Sequence, residues 1–168
     1  VCGQNFHGRT VTIISFSSDP DAKGNFGPYT PGFKAIPYND IETLEAILKK
    51  EAVTIAGFLV EPIQGEAGVY VPDESFIAAA ANLCKEHNVL FIADEIQTGI
   101  ARTGSLLAIC GECTCQGHCE QQTTYTKPDI LILGKALSGG MYPVSAVLAD
   151  DTVMNVIKPG QHGSTYGG

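Results

Sequence analysis

Three apolar runs in this chain each end in a residue able to do chemistry. Ala56-Gly57-Phe58-Leu59-Val60 leads into Glu61, Val89-Leu90-Phe91-Ile92-Ala93 into Asp94-Glu95, and Ile130-Leu131-Ile132-Leu133 into Gly134-Lys135. A lysine at the mouth of a buried strand is expected to be partly desolvated, which favours its neutral amine. A neutral amine is a nucleophile toward a carbonyl carbon. The competing reading of Lys135 is a side chain that reaches out to solvent or pairs with a nearby acid. Asp94, at the end of its own apolar run, is expected to be largely buried and so to need a cationic or hydrogen-bonding mate. It could instead cap the following turn or enter a salt bridge within the protein. An aromatic cation bearing an aldehyde, held between Asp94 and Lys135, would satisfy both.

The elements that must position these groups follow from periodicity. Ile41, Leu44, Ile47 and Leu48 form one stripe at helical spacing. Asn39 is expected as the N-cap of that helix, with Glu42 closing a capping box. Phe76, Ile77, Ala80, Leu83 and Cys84 share the face of a second helix, which Asp73 is expected to cap and which ends near His87-Asn88. The apolar runs themselves read as buried strands, with a fourth at Val144–Leu148. Apolar strands alternating with amphipathic helices predict an α/β fold: a mostly parallel sheet sandwiched by helices. In open sheets of this kind ligands sit beyond the carboxyl ends of the strands, where Glu61, Asp94 and Lys135 fall.

The 168 residues suffice for one α/β domain. With 44% hydrophobic and 17% charged residues the composition is globular, and a net charge of −8 argues against nucleic acid or an anionic lipid surface as a partner. No apolar run approaches the length needed to cross a bilayer. Four of the six cysteines crowd into Cys110–Cys119, which argues against a disulfide framework and for a reducing, intracellular setting. The chain opens on Val1 and stops after a loop-like segment, so we expect an internal portion of a longer protein.

Four segments, in order and spacing, resemble the class III pyridoxal-phosphate aminotransferases. They are Glu61-Pro62-Ile63-Gln64-Gly65-Glu66-Ala67-Gly68, Ala93–Gly99, Gly134-Lys135-Ala136-Leu137-Ser138-Gly139-Gly140 and His162-Gly163-Ser164-Thr165-Tyr166-Gly167-Gly168. Within that class, Asn5-Phe6-His7-Gly8-Arg9-Thr10 and Gly140–Ser145 are most similar to the branch that acts on ornithine. The resemblance implies the large domain of a fold-type I enzyme, with pyridoxal 5'-phosphate as cofactor and ornithine and 2-oxoglutarate or glutamate as substrates. By position, it makes Lys135 the lysine that bonds the cofactor and moves the proton. It pairs Asp94 with the ring nitrogen, flanks the ring with Phe6 and Ile96, and places Gln97 on its phenolic oxygen, with His7 also in the cofactor pocket. It assigns Ser164 and Thr165 to the phosphate of a neighbouring subunit in a homodimer. Arg9 would take the α-carboxylate, while Glu61 and Glu66 would help position ligands. Relatives of this kind work in the mitochondrial matrix or the cytoplasm.

Departures accompany the resemblance. His7 stands where a bulkier aromatic is common, and the phosphate cup and small domain that complete such enzymes would lie outside residues 1–168. The stretch at about 109–127 is longer than in the family. Cys110, Cys113, Cys115, His118 and Cys119 offer soft ligands, but the cramped spacing favours an inserted loop over a zinc site. The remaining alternatives are a sister enzyme acting on acetylornithine or 4-aminobutyrate, or a non-catalytic truncated product.

Overall fold

The computed structural model describes residues 1–110 and 126–163. Two single-turn helices, α1 (Val11–Ile14) and α2 (Pro20–Lys23), punctuate the first segment. α2 starts as its sequence dictates: Asp19 accepts from the Asp21 amide (2.9 Å), and Pro20 occupies a position where no amide donor is needed. The 11-residue helix α3 (Ile41–Glu51) follows. Its cap is Asp40, not Asn39: the Asp40 carboxylate accepts from both the Thr43 amide (2.9 Å) and the Thr43 hydroxyl (2.6 Å), so the residue three positions past the cap is Thr43, not Glu42. Asn39 sits in left-handed backbone (φ 65°) and spends its side chain elsewhere, exchanging hydrogen bonds with Asp73 (3.0 and 3.1 Å). Asp73 is therefore engaged with Asn39, and helix α4 (Phe76–Glu86) begins with Ser75 in the cap position and no side-chain cap bond. Its far end closes well. Asn88 adopts φ 55°, and the Val89 and Asn88 amides return to the Cys84 and Lys85 carbonyls, the paired bonds that finish a helix on a left-handed residue.

Four strands form one sheet in the order β1 (Gly57–Val60), β2 (Leu90–Asp94), β3 (Ile130–Leu133), β4 (Ala146–Ala149). β1, β2 and β3 are parallel, with Val60 beside Ala93 and Asp94 beside Ile132, while β4 returns antiparallel with Ala146 beside Leu133. The sheet is thus mostly parallel, as the sequence predicts. That register matters for function, because the carboxyl ends of β1, β2 and β3 all emerge on one rim. α3 packs on α4 and α4 on β2. Leu44, Leu48, Phe76, Ala80 and Cys84 meet Phe58, Val60, Phe91 and Ala93 in the core. The sandwich is uneven: on β4, Val147 and Leu148 are exposed among the described residues. No helix among the described residues is long and apolar enough to cross a membrane.

Candidate active site

Two buried carboxylates at the rim hold one short loop. Glu61 follows the last residue of β1, and its Oε2 accepts the Phe6 amide at 3.1 Å. Asp94 ends β2; its Oδ2 lies 2.6 Å from His7 Nδ1, and its Oδ1 accepts the Ile96 amide at 3.0 Å. The strand ends thereby clamp the consecutive residues Phe6 and His7, one by backbone and one by side chain. His7 and Asp94 side chains are 3% and 5% exposed, so the pair is out of water. Burial pushes the Glu61 carboxyl above its ordinary range, opposed by the Phe6 amide and by His7. The Tyr38 hydroxyl, shared between the Glu61 and Pro62 carbonyls (3.1 and 2.9 Å), fixes the turn that carries Glu61.

Phe6, His7, Gly8, Glu61, Ile63, Asp94, Ile96, Gln97 and Lys135 line a single cleft at this rim. Asp94 and Lys135 therefore face one space, not opposite sides of the sheet. Its volume is about 90 Å³, so a phosphorylated aromatic group would extend beyond its mouth. Two glycines shape it. A Cβ on Gly134 would come within 3.2 Å of Ile96, and a Cβ on Gly65 would stand 2.5 Å from the Gln97 amide. Small residues there let Ile96 and Gln97 occupy the wall.

Other sequence expectations fare differently. Lys135 is exposed, so the expected desolvation of its amine is not found. It stands just past the end of β3, and Gly134-Lys135 turns outward into a short 3-10 helix. Its backbone is unusual, with φ 41° in the left-handed region that a lysine rarely adopts. Arg9 is exposed and lies over the Phe6 ring, 5.4 Å from its centroid. Glu66 is exposed and lies outside the cleft, lining a neighbouring hollow of about 280 Å³ with Gln4, Asn5, Phe6, Ser18, Asp19 and Ala67. Ser164 and Thr165, and the cysteine stretch from residue 111 to 125, lie outside the described residues. Cys110, the last described residue before that stretch, is partly buried.

Some supporting residues escaped the sequence reading. Glu95, fully buried, accepts from the Thr98 hydroxyl and from the Ile109 amide (2.8 Å), tying the chain beyond β2 back to the rim. Burial raises its carboxyl too, opposed first by Thr98. Gln64, fully buried, donates to the Gly3 carbonyl (2.8 Å) and secures the segment before Phe6. Both sit inside the motifs already singled out, and a carboxylate or amide embedded in an apolar context was the signal available.

With this geometry established, comparison with known proteins is informative. The class III aminotransferase family matches residues 1–168, and the chain belongs to that family. It is 56% identical over 164 residues to the mitochondrial ornithine aminotransferase of Rattus norvegicus, covering 98% of this chain and 34% of that one. Among solved structures, the ornithine aminotransferase of Toxoplasma gondii superposes with a TM-score of 0.86 at 49% identity, over 99% of this chain and 36% of that one. In that crystal, PLP partially occupies the active site. The acetylornithine aminotransferase of Elizabethkingia anophelis matches at 63% identity with a TM-score of 0.74, over 99% and 37%. The chain thus spans a little over a third of the length of these proteins.

Proposed function

We propose that this chain is part of the cofactor-binding large domain of an aminotransferase that moves the δ-amino group of ornithine to 2-oxoglutarate, yielding glutamate and glutamate 5-semialdehyde. The observation that carries the reading is the single cleft shared by Asp94 and Lys135 at the carboxyl rim of a parallel sheet. Pyridoxal 5'-phosphate fits the donor set there. An ionised carboxylate offers about four acceptor positions; the described partners of Asp94 use two of them, leaving room for a protonated ring nitrogen. Apolar side chains of Phe6 and Ile96 and the amide of Gln97 complete a wall suited to an aromatic ring with a polar substituent. When bound, the cofactor supplies an electron sink and the aldehyde that carries the amino group between substrates.

The chain's own residues have separate tasks in this reading. Lys135 Nζ would be the group that holds the cofactor through its aldehyde and that takes or gives a proton at the substrate carbon. Asp94 would hold the ring nitrogen in its protonated form. Gln97 would donate to the phenolic oxygen, and Phe6 and Ile96 would flank the ring. Arg9, whose guanidinium already rests on Phe6, takes the α-carboxylate of glutamate or 2-oxoglutarate in a forked pair. Glu61 and Glu66 position ligands, and Ser164 and Thr165 reach the phosphate of the neighbouring subunit in a homodimer. The segment at about 109–127 is an insertion relative to the family, most of it outside the described residues. The compartment is the mitochondrial matrix or the cytoplasm, in keeping with the mitochondrial rat relative.

A second reading, transfer from N-acetylornithine, is favoured by the 63% identity to the Elizabethkingia enzyme. Rates with ornithine, N-acetylornithine and 4-aminobutyrate, each with 2-oxoglutarate as acceptor, separate the substrates. The site itself is tested by adding pyridoxal 5'-phosphate, reducing with borohydride and mapping the modified peptide. Label on Lys135 is expected; label only on another lysine overturns the assignment.

A further inference from the structure

Glu95 is an ionisable side chain with 0% exposure, and the roles above leave it unused. We propose, resting on the cofactor reading above, that Glu95 is a positioning residue. Its carboxylate closes the loop that begins at Ile96-Gln97, and so holds the Gln97 amide where it meets the phenolic oxygen of a bound ring.

The chain leaves the sheet after Asp94 and comes back to Glu95 at Ile109. Glu95 itself is still tied to the sheet, because its amide donates to the Ile132 carbonyl of β3 (2.9 Å). Its Oε2 accepts the Thr98 hydroxyl and its Oε1 the Ile109 amide (2.8 Å), with the Ala108 amide adding to the hold. The Gly99 amide returns to the Glu95 carbonyl (2.8 Å), so the turn carrying Ile96 and Gln97 is closed by both the backbone and the side chain of one residue. Beyond that turn, Ile100 and Ala101 adopt φ 56° and 62°. Left-handed backbone at two successive non-glycine residues persists only where its surroundings enforce it. Glu95 fastens the excursion at its start and its return, and the buried Leu107 and Ile109 anchor the returning end. On the cleft side the Gln97 amide rests on Gly65, where a Cβ would stand 2.5 Å from its Oε1. A side chain lying on a glycine takes its direction from its own backbone, and the Glu95–Thr98 bond sets that backbone. An apolar residue of the same length would fill the space but leave the Thr98 hydroxyl and the Ile109 amide without their acceptor.

Two substitutions separate the acceptor from the shape. Glu95→Gln keeps an acceptor for the Ile109 amide, and its Nε2–H can donate to the Thr98 hydroxyl oxygen; pyridoxal 5'-phosphate should bind within about threefold of the original chain. Glu95→Met keeps the length without the acceptors, and binding should weaken about 10-fold, the worth of the Gln97 hydrogen bond. Absorbance titration of the 168-residue chain reads both, with circular dichroism confirming that each variant is folded. Should Glu95→Met fail to fold, Thr98→Val, which removes only the donor of the turn, takes its place in every measurement. A general loosening of the fold would weaken binding whatever stands at position 97, so the titrations are repeated in a Gln97→Ala background. There Glu95→Met should cost nothing further, since the two act as one unit. Met binding as tightly as Glu, Gln binding as poorly as Met, or equal losses with and without Gln97 overturns the proposal. A second readout needs no cofactor: the ¹H–¹⁵N heteronuclear NOE of the Gln97 side-chain amide should fall in Glu95→Met and hold in Glu95→Gln. An unchanged value in Glu95→Met also overturns it. If the original chain takes up no cofactor, the functional reading fails, and the NOE still decides whether Glu95 fixes Gln97.

Discussion

Gly65 and Gly99 lie within the motifs flanking the cleft, and the same substitution should fail in different ways at the two. A Cβ at Gly65 would sit 2.5, 2.6 and 2.9 Å from Oε1, Cδ and Nε2 of Gln97. Those atoms are the far end of a flexible side chain, so Gln97 can swing away. Neither glycine has a positive φ, so alanine is conformationally acceptable at both. Relief of unfolded-state entropy gains about 0.4–1 kcal/mol, and an off-rotamer Gln97 costs about 0.5–1.5 kcal/mol. Gly65→Ala should therefore leave stability within about 1 kcal/mol. It should nevertheless remove the Gln97 hydrogen bond to a bound ring, weakening pyridoxal 5'-phosphate binding roughly 10-fold. At Gly99 the new Cβ meets the Glu95 carbonyl oxygen at 2.7 Å, Glu95 Cβ at 3.1 Å and Leu133 at 3.2 Å. Two of these belong to Glu95, the fully buried residue that directly follows β2, so overpacking should cost about 1–3 kcal/mol. Urea unfolding monitored by circular dichroism and cofactor titration by absorbance measure both quantities on both variants. Equal destabilisation of the two, or unaltered cofactor affinity in Gly65→Ala, would refute the claim that Gly65 exists to make room for Gln97.

Glu61, raised above its ordinary 4.5 by burial, binds its proton more tightly folded than unfolded. Its contribution to stability is full below pH 4.5 and fades as pH rises through the folded value. Glu61→Gln should therefore gain on the original chain as pH climbs from 4.5 toward neutrality; parallel urea midpoints across that range would contradict this. Tyr38→Phe removes the hydroxyl serving the Glu61 and Pro62 carbonyls and should cost about 1–2 kcal/mol, lowering the melting temperature by roughly 2–8 °C; an unchanged transition would show those carbonyls to be satisfied by water. Lys135→Asn places a residue tolerant of left-handed backbone at φ 41° and should stabilise the fold by up to about 1 kcal/mol while abolishing borohydride trapping at this position. A loss of stability would mean the backbone there carries no strain.

Element type was legible wherever apolar periodicity was strong. α3, α4 and all four strands appear where Leu44/Leu48, Phe76/Ala80/Cys84 and the apolar runs demanded them. Caps were less legible, because Asn39 and Asp73 are each competent alone, and only their meeting across the fold takes both out of service. The rim cluster was visible because three strands ended in polar residues. The exposure of Lys135 was not, since it depends on how Gly134 turns the backbone after β3. Nor was the His7–Asp94 contact, which joins residues 87 positions apart, a distance no local pattern spans.

The two ends of the cleft are built to opposite specifications, and the proposed chemistry accounts for the difference. Asp94 is buried, gripped at both oxygens and rooted in a central strand. Lys135 is exposed, follows a glycine and begins a short 3-10 turn from a disfavoured dihedral. A group that tunes a ring nitrogen must hold still throughout a reaction, because any rotation lets the charge it stabilises dissipate into reorganisation. An amine that must release a cofactor to a substrate and later reclaim it must move, and tight burial would oppose each exchange. Left-handed backbone at a non-glycine residue persists only where its surroundings enforce it. At Lys135, two residues past the end of β3, it accompanies a side chain that lines the cleft. A purely structural cluster would have no reason to pair a locked acid with a loose amine.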